Sequence, residues 1–243
     1  MGWKRVGFGD RPCLNRPHMT TLFIATRNAH KAGEIRAILS DRWVFRTLDD
    51  LPGAPAVVED ADTFAGNATK KAVELAQWLG EQVRRSRFTV GSETAYVLAD
   101  DSGLEVDALH GAPGVHSARF AALDGGATGN STDAQNNAKL LRLLAQEPRE
   151  KRTARFRCAL ALAKVNPESP TRNLQLFEGV CEGRIDFSPR GLGGFGYDPL
   201  FVPQGFEQSF AELGEAVKNR ISHRAQALAG LRAFLVGQPP TVS

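Results

Sequence analysis

The chain has 243 residues, 42% hydrophobic and 23% charged, which suits one large domain or two small lobes around a sizeable core. Its formal charge of +3 lies in the first 19 residues, where Lys4, Arg5, Arg11 and Arg16 face only Asp10, leaving 26 basic and 26 acidic residues in a neutral body that implies no nucleic-acid surface. No run of about 18 apolar residues is present to span a membrane, and three cysteines without a CxxC pair argue against a disulfide framework or thiolate zinc site and favour the cytoplasm.

Residues 1–18 carry Gly and Pro breakers and no apolar h-region, so they read as a flexible tail ahead of one domain over 19–243. Met19 stands directly before the first strand, "TLFIAT" (21–26). Asn28 is a good N-cap for "NAHKAGEIRAIL", whose Ala32, Ile35, Ile38 and Leu39 fall at helical spacing. "WVFRTL" (43–48) predicts the next strand. From Thr63, the apolar face Phe64, Ala68, Ala72, Leu75 and Leu79 predicts a long helix that frays in the basic run 84–87. "VLADDSGLEV" (97–106) begins as a strand, then places Asp100 and Asp101 before a Ser-Gly pair that reads as a turn. "GAPG" marks another turn and "GGATGNST" a loop, and "DAQNNAKLLRLLA" is a helix with Leu140, Leu141 and Leu144 inward. "TARFRCALALAKV" and "LQLFEGVCEGRIDF" form a hairpin around "NPESPTRN". A glycine-rich loop (190–198), a short strand "PLFV", the segment "SFAELGEAVKNRI" and a last helix capped by Ser222 complete the chain. Alternating strands and helices followed by a long hairpin predict an α/β fold: a mixed sheet with flanking helices and two lobes around a cleft.

Four segments hold candidate chemistry. "TRNAHK" (26–31) sits at a strand-to-helix junction, where free N–H groups and the helix dipole favour an anion and Lys31 adds a charge; taken alone, it is equally a capped helix with a solvated lysine. Asp100 and Asp101 point to opposite sides of a strand, so one is structural and the other, with Glu59, offers hard oxygen ligands to Mg²⁺; a plain polar turn is the competing reading. "RGLGGFGYDP" satisfies GxGxxG literally but leads into Asp198-Pro199 and a strand rather than a helix, which excludes a dinucleotide fingerprint. It leaves a loop presenting Phe195 and Tyr197 to stack a flat ring, or else tucking them into the core. Lys218, Arg220, His223 and Arg224 in "KNRISHR" read either as a solvated face or as hydrogen-bond donors to a carbonyl-bearing ligand.

In their order, "TRNAHK", "FAGNATKKA", "ADDSGLEVDALHGAPGVHSARFA", "GGFGYDPLF" and "ISHRAQAL" resemble the inosine triphosphate pyrophosphatase family over 21–236, and within it the bacterial branch acting on dITP, ITP and XTP. The resemblance implies Mg²⁺-dependent hydrolysis of non-standard purine nucleoside triphosphates (dITP, ITP, XTP, dXTP) to monophosphate and pyrophosphate, in a nucleotide-binding cleft of a cytoplasmic homodimer. It implies that Thr26, Arg27, Asn28, Ala29, His30 and Lys31 form the triphosphate turn and that Lys71 lies near the phosphates. Asp101 is implied as general base and metal ligand, Glu59 as a further metal position, and Ser102 as a substrate contact. Phe195, Gly196, Tyr197 and Asp198 are implied around the base, with Lys218, His223 and Arg224 as the remaining substrate contacts. His and Arg donors facing a 6-oxo purine would discriminate against ATP, and a tight backbone-lined pocket is expected at the purine 2-position. Two departures stand out: Gly66 where the family commonly has an acidic residue, and a longer segment over 84–95 that reads as a surface insertion. The competing functions are a Maf-like nucleotide pyrophosphatase of other base preference and a non-catalytic nucleotide-binding protein.

Overall fold

The computed structural model describes residues 20–39, 43–85, 95–125, 129–165 and 174–237. The expected tail over 1–18, most of the expected insertion over 84–95 and the whole "NPESPTRN" connection lie outside the described residues. The chain runs β1 (Thr20–Ile24), α1 (Ala29–Leu39), β2 (Trp43–Thr47), α2 (Phe64–Arg84), β3 (Ala95–Val106), α3 (Asp133–Leu143), β4 (Thr153–Lys164), β5 (Gln175–Ile185), β6 (Phe201–Pro203), α4 (Phe210–Ile221) and α5 (His223–Gly237). One mixed sheet has the order β2-β1-β3-β4-β5-β6. β1 pairs in parallel with β2 and β3, its neighbours on either side, and the pairs β3-β4, β4-β5 and β5-β6 are antiparallel. Among the described residues no helix is long and apolar enough to cross a membrane.

Helix starts follow the side chains that satisfy free backbone N–H groups. Asn28 Oδ1 accepts from Lys31 N, Thr63 Oγ1 from Gly66 N, and Ser222 Oγ from Ala225 N. Capping boxes open α3 (Thr132, Gln135) and α4 (Ser209, Glu212). The two sheet faces have different cores. α2 lays Ala68, Ala72, Ala76 and Leu79 on Val97, Ala99, Ala159, Ala161 and Ala163, small residues that let helix and sheet approach closely. On the other face, α1 and α5 cover Leu22, Ile24, Leu98, Leu160 and Leu162, while α3, α4 and β6 cover Leu104, Val106 and Phe156 further along. Leu140 and Leu144 are fully buried as expected, whereas Leu141 is only partly so.

The expected Ser-Gly turn after Asp101 does not occur. β3 runs unbroken through it, because β4 pairs with the whole stretch: Asp100 opposite Leu160, Asp101 opposite Ala159, Ser102 opposite Cys158 and Gly103 opposite Arg157. Sheet hydrogen bonding overrides a local composition that favours a turn. Gly103 answers to a neighbour instead: a Cβ there would meet Gly114 O and Ser117 Oγ at 2.5 Å. That close approach lets Ser117 Oγ accept from Leu104 N at 2.9 Å and donate to Gly114 O at 2.6 Å, tying the segment Gly114–Arg119 to the middle of β3.

Candidate active site

A cleft of about 790 Å³ opens over the middle of β3, lined by the α1 turn, the loop at 55–59, β3, the Gly114–Arg119 segment, the glycine-rich loop and the start of α5. β3 forms its floor, and the two aspartates behave as the pleat requires. Asp101 points to the α2 side, where Asn67 Nδ2 donates to Oδ2 at 3.1 Å and Lys71 Nζ lies 3.2 Å from Oδ1. Asp100 points to the α1 and α5 side, held by Lys31 Nζ at 2.6 Å and Arg224 Nε at 2.8 Å, with Ser102 Oγ donating at 2.8 Å and Cys158 Sγ at 3.4 Å.

These settings give the carboxyls opposite electrostatics. Burial disfavours charge on both. At Asp100 the Arg224 and Lys31 cations outweigh it and hold the carboxyl well below the usual range. At Asp101 burial prevails over Lys71 and Lys31, with Glu59 adding to it, and the carboxyl rises above its ordinary value. Asp100 is therefore a fixed anion committed to its partners, and Asp101 is the more basic of the two. Glu59 Oε1 lies 3.5 Å from the same Lys71 Nζ, so Glu59 and Asp101 flank one ammonium.

Of the residues expected at the phosphate end and the base end, all but Ala29 and His30 line the cleft, and several differ from expectation. Lys31 is not solvated: Asp100 keeps its pKa above the ordinary value although burial works against its charge. Ala29 and His30 open α1, and His30 stacks on Phe195 with ring centroids 5.2 Å apart rather than serving only the phosphate turn. Tyr197 is no stacking platform. It is buried in the core and donates its hydroxyl to Ser117 O at 2.9 Å, leaving Phe195 as the exposed-side aromatic of this loop. Asp198 Oδ2 accepts from Phe195 N at 2.9 Å and from Lys218 Nζ at 2.5 Å, and a Cβ on Gly194, whose φ is +74°, would run into that carboxylate. Gly196 is fixed from both sides, its N–H donating to Asp133 and its carbonyl accepting from Asn137.

Arg224 departs furthest from expectation. It is 1% exposed, with Nε on Asp100, Nη1 on Glu34 and Nη2 reaching Asp100 and Ser102, so its guanidinium is an organiser of carboxylates rather than a free donor to a base. Its pKa is raised by Asp100 and Glu34 despite burial. Arg220 is exposed and takes no part. His223 packs flat on Phe156 at 4.8 Å, lines the cleft and has a buried Nδ1 without a partner among the described residues. Burial, with Arg224 and Lys218 nearby, pulls its pKa well below the ordinary histidine value, so the ring is neutral.

Sequence reasoning missed Glu34, Asn67 and Phe156. Glu34 sits one turn beyond Lys31 on α1 and pairs with both Lys218 and Arg224, and Asn67 sits one turn before Lys71 on α2. The spacing of three and four residues on one helix face was the available signal. Gly66 is explained locally: a Cβ there would meet Ala61 Cβ at 2.8 Å and Thr63 Oγ1 at 3.0 Å, so the helix cap occupies the space of a side chain. Asn67, not residue 66, supports the Asp101 carboxylate.

The Ham1 family model matches residues 22–234. The dITP/XTP pyrophosphatase of Shouchella clausii is 42% identical over 91% of this chain and 100% of its own length, and that of Opitutus terrae is 47% identical over 86% and 96%. Among solved structures, a HAM1 protein from Coxiella burnetii superposes with a TM-score of 0.73 at 35% identity, covering 90% of this chain and all of that one. The nucleoside-triphosphatase / dITP/XTP pyrophosphatase of Mycobacterium abscessus gives 0.61 at 37% identity, covering 87% and 98%.

Proposed function

The chain belongs to the Ham1 family, and from that premise we propose that it hydrolyses non-standard purine nucleoside triphosphates, dITP, ITP, XTP and dXTP, to the monophosphate and pyrophosphate. The observation that carries this reading is the asymmetry at the cleft floor: Asp101, raised in pKa, faces Glu59 and Lys71, while the neighbouring Asp100 is locked away by Lys31 and Arg224. One carboxylate is thus available to a reacting water and the other is spent on architecture.

Two carboxylates flanking one ammonium form a donor set that fits Mg²⁺, which takes one or two carboxylates and leaves its other positions to water and phosphate oxygens. Among the described residues no three His, Cys, Asp or Glu side chains gather as a metal cage, consistent with a site that substrate completes. Asp101 and Glu59 would hold the ion, which when bound neutralises phosphate charge and favours ionisation of water. Asp101 accepts the proton of the attacking water, a task its raised pKa suits. Lys71, whose Nζ also donates to Asp100 O at 2.7 Å, positions Asp101 and faces the phosphates. The α1 N-terminus, with Thr26, Arg27 and Asn28 on its turn, receives the anionic tail.

At the other end, Phe195 and His223 define the base site. A neutral His223 with an unpaired Nδ1 offers one hydrogen bond to the base, donated to a 6-oxo group in its Nδ1–H tautomer. Arg224 acts behind it, through Asp100 and Glu34. The same reading takes 19–243 as one catalytic domain of a cytoplasmic homodimer.

The test is metal-dependent pyrophosphate release from dITP, XTP, dGTP and dATP, with Asp101→Asn as control. Strong preference for dITP and XTP and loss of about 100-fold or more in kcat for Asp101→Asn are expected. Orthophosphate as product, or equal rates on all four, overturns the reading.

A further inference from the structure

Six cationic side chains line the cleft: Arg27, Lys31, Lys71, Arg119, Lys218 and Arg224. Four are already engaged by buried carboxylates, Lys31 and Arg224 by Asp100, Lys71 by Asp101 and Lys218 by Asp198. Arg27 and Arg119 pair with no carboxylate among the described residues, so the cleft's uncommitted positive charge is theirs. Arg27 lies on the α1 turn. Arg119 comes from a different element, at the end of the segment Gly114–Arg119.

The backbone that carries Arg119 is firmly held. Ser117 is tied to β3, Tyr197 donates to Ser117 O, and Ala118 O accepts from both Asn136 Nδ2 at 3.2 Å and Ser131 N at 3.0 Å. Among the described residues the side chain makes one hydrogen bond, from Nη2 to the carbonyl of Glu59 at 3.3 Å, and its other guanidinium N–H groups have no partner there. That contact places Arg119 beside Glu59, Lys71 and Asp101, on the phosphate side of the cleft rather than with Phe195 and His223. A planar guanidinium with free N–H groups matches phosphate oxygens bidentately.

We propose that Arg119 binds the leaving pyrophosphate, gripping the β- and γ-phosphates from the end of the segment Gly114–Arg119. The proposal rests on the pyrophosphatase reading for its substrate, but its own content is recognition of a diphosphate anion. It follows that the two ends of the ligand depend on different arginines: the diphosphate end on Arg119, and the base end on the Arg224 network.

The experiment measures calorimetric binding of magnesium pyrophosphate and of dIMP to the full chain and to Arg119→Ala and Arg119→Lys, with dITP turnover followed in parallel. For Arg119→Ala, pyrophosphate affinity is expected to fall about 10-fold or more while dIMP affinity stays within about twofold, and Arg119→Lys recovers part of the loss. Unchanged pyrophosphate affinity in Arg119→Ala overturns the proposal. So does an equal loss for pyrophosphate and dIMP, which marks Arg119 as a support of the Glu59 loop. Absence of pyrophosphate release from dITP by the unaltered chain overturns the functional reading instead, and leaves the binding comparison to decide the role of Arg119 by itself.

Discussion

Asp100 and Asp101 are adjacent in sequence, yet their substitutions should fail in different ways. Asp100→Asn strips the charge from a carboxylate buried against Lys31 and Arg224, leaving two buried cations short of a partner. A loss of about 3–5 kcal/mol in stability is expected, read as a lower midpoint in denaturant. Asp101→Asn removes a carboxyl that burial already disfavours in its charged form, so its stability should stay within about 1 kcal/mol while turnover collapses. Equal destabilisation by the two would contradict the division of labour. Local signals in the sequence marked Lys31, at a helix start, and the Asp100-Asp101 pair, on a strand, as candidates; it was the family resemblance that added Lys71 and joined them into one site. Sequence reasoning gave Arg224 to the substrate and missed its carboxylate partners, because Asp100 and Glu34 lie 124 and 190 positions away along the chain and only the folded packing of α1, β3 and α5 joins them. Tyr197 was ambiguous for a related reason: an aromatic in a glycine-rich loop gives no local sign of whether it faces ligand or core, and Ser117 O, 80 positions away, decides it.

α2 connects its own N-cap to catalysis, since Thr63 starts the helix that presents Asn67 and Lys71 on successive turns. Thr63→Ala should cost about 1 kcal/mol of stability by thermal or chemical denaturation. Fraying of that first turn should also weaken the hold on Asp101, so the variant is expected to lose kcat more than apparent substrate affinity. Gly66 makes a complementary test. Alanine in a helix interior commonly gains about 1 kcal/mol over glycine, but here a Cβ crowds Ala61 and Thr63. Gly66→Ala should therefore give no gain in melting temperature, and Gly66→Glu should lower it. Most elements were legible because apolar spacing and caps agree with the fold at α1, α2, α5 and the β4–β5 hairpin. β3 was legible only as far as Leu98 and Ala99; the Asp-Asp-Ser-Gly run carries turn chemistry, and it stays extended because β4 supplies ladder partners through Val106.

At the scale of the whole molecule, buried titrating groups set the response to pH. His223 is held neutral, its pKa far below the value near 6.5 that it regains on unfolding. A depressed folded pKa means the associated stability is complete above about pH 6.5 and is lost as pH falls below it, by up to about 1.4 kcal/mol per pH unit. Asp100 follows the same sign in a lower window, beginning near pH 4, whereas Asp101, raised in the fold, opposes both. The melting temperature should therefore begin to fall below about pH 6.5, and in His223→Gln the decline should start nearer pH 4; a His223→Gln profile parallel to that of the unaltered chain would refute the assignment. The pleat of β3 carries one last implication. Its two faces are told apart only by whether a position is odd or even, so the site is encoded as a parity. Deleting a single residue between Ala95 and Ala99 would leave a strand of the same chemistry but send the fixed anion towards Asn67 and Lys71 and the working carboxylate towards Lys31 and Arg224. Insertions and deletions are therefore excluded from this strand far more strictly than substitutions are, and variation in length among proteins of this architecture should accumulate in the connections and spare β3.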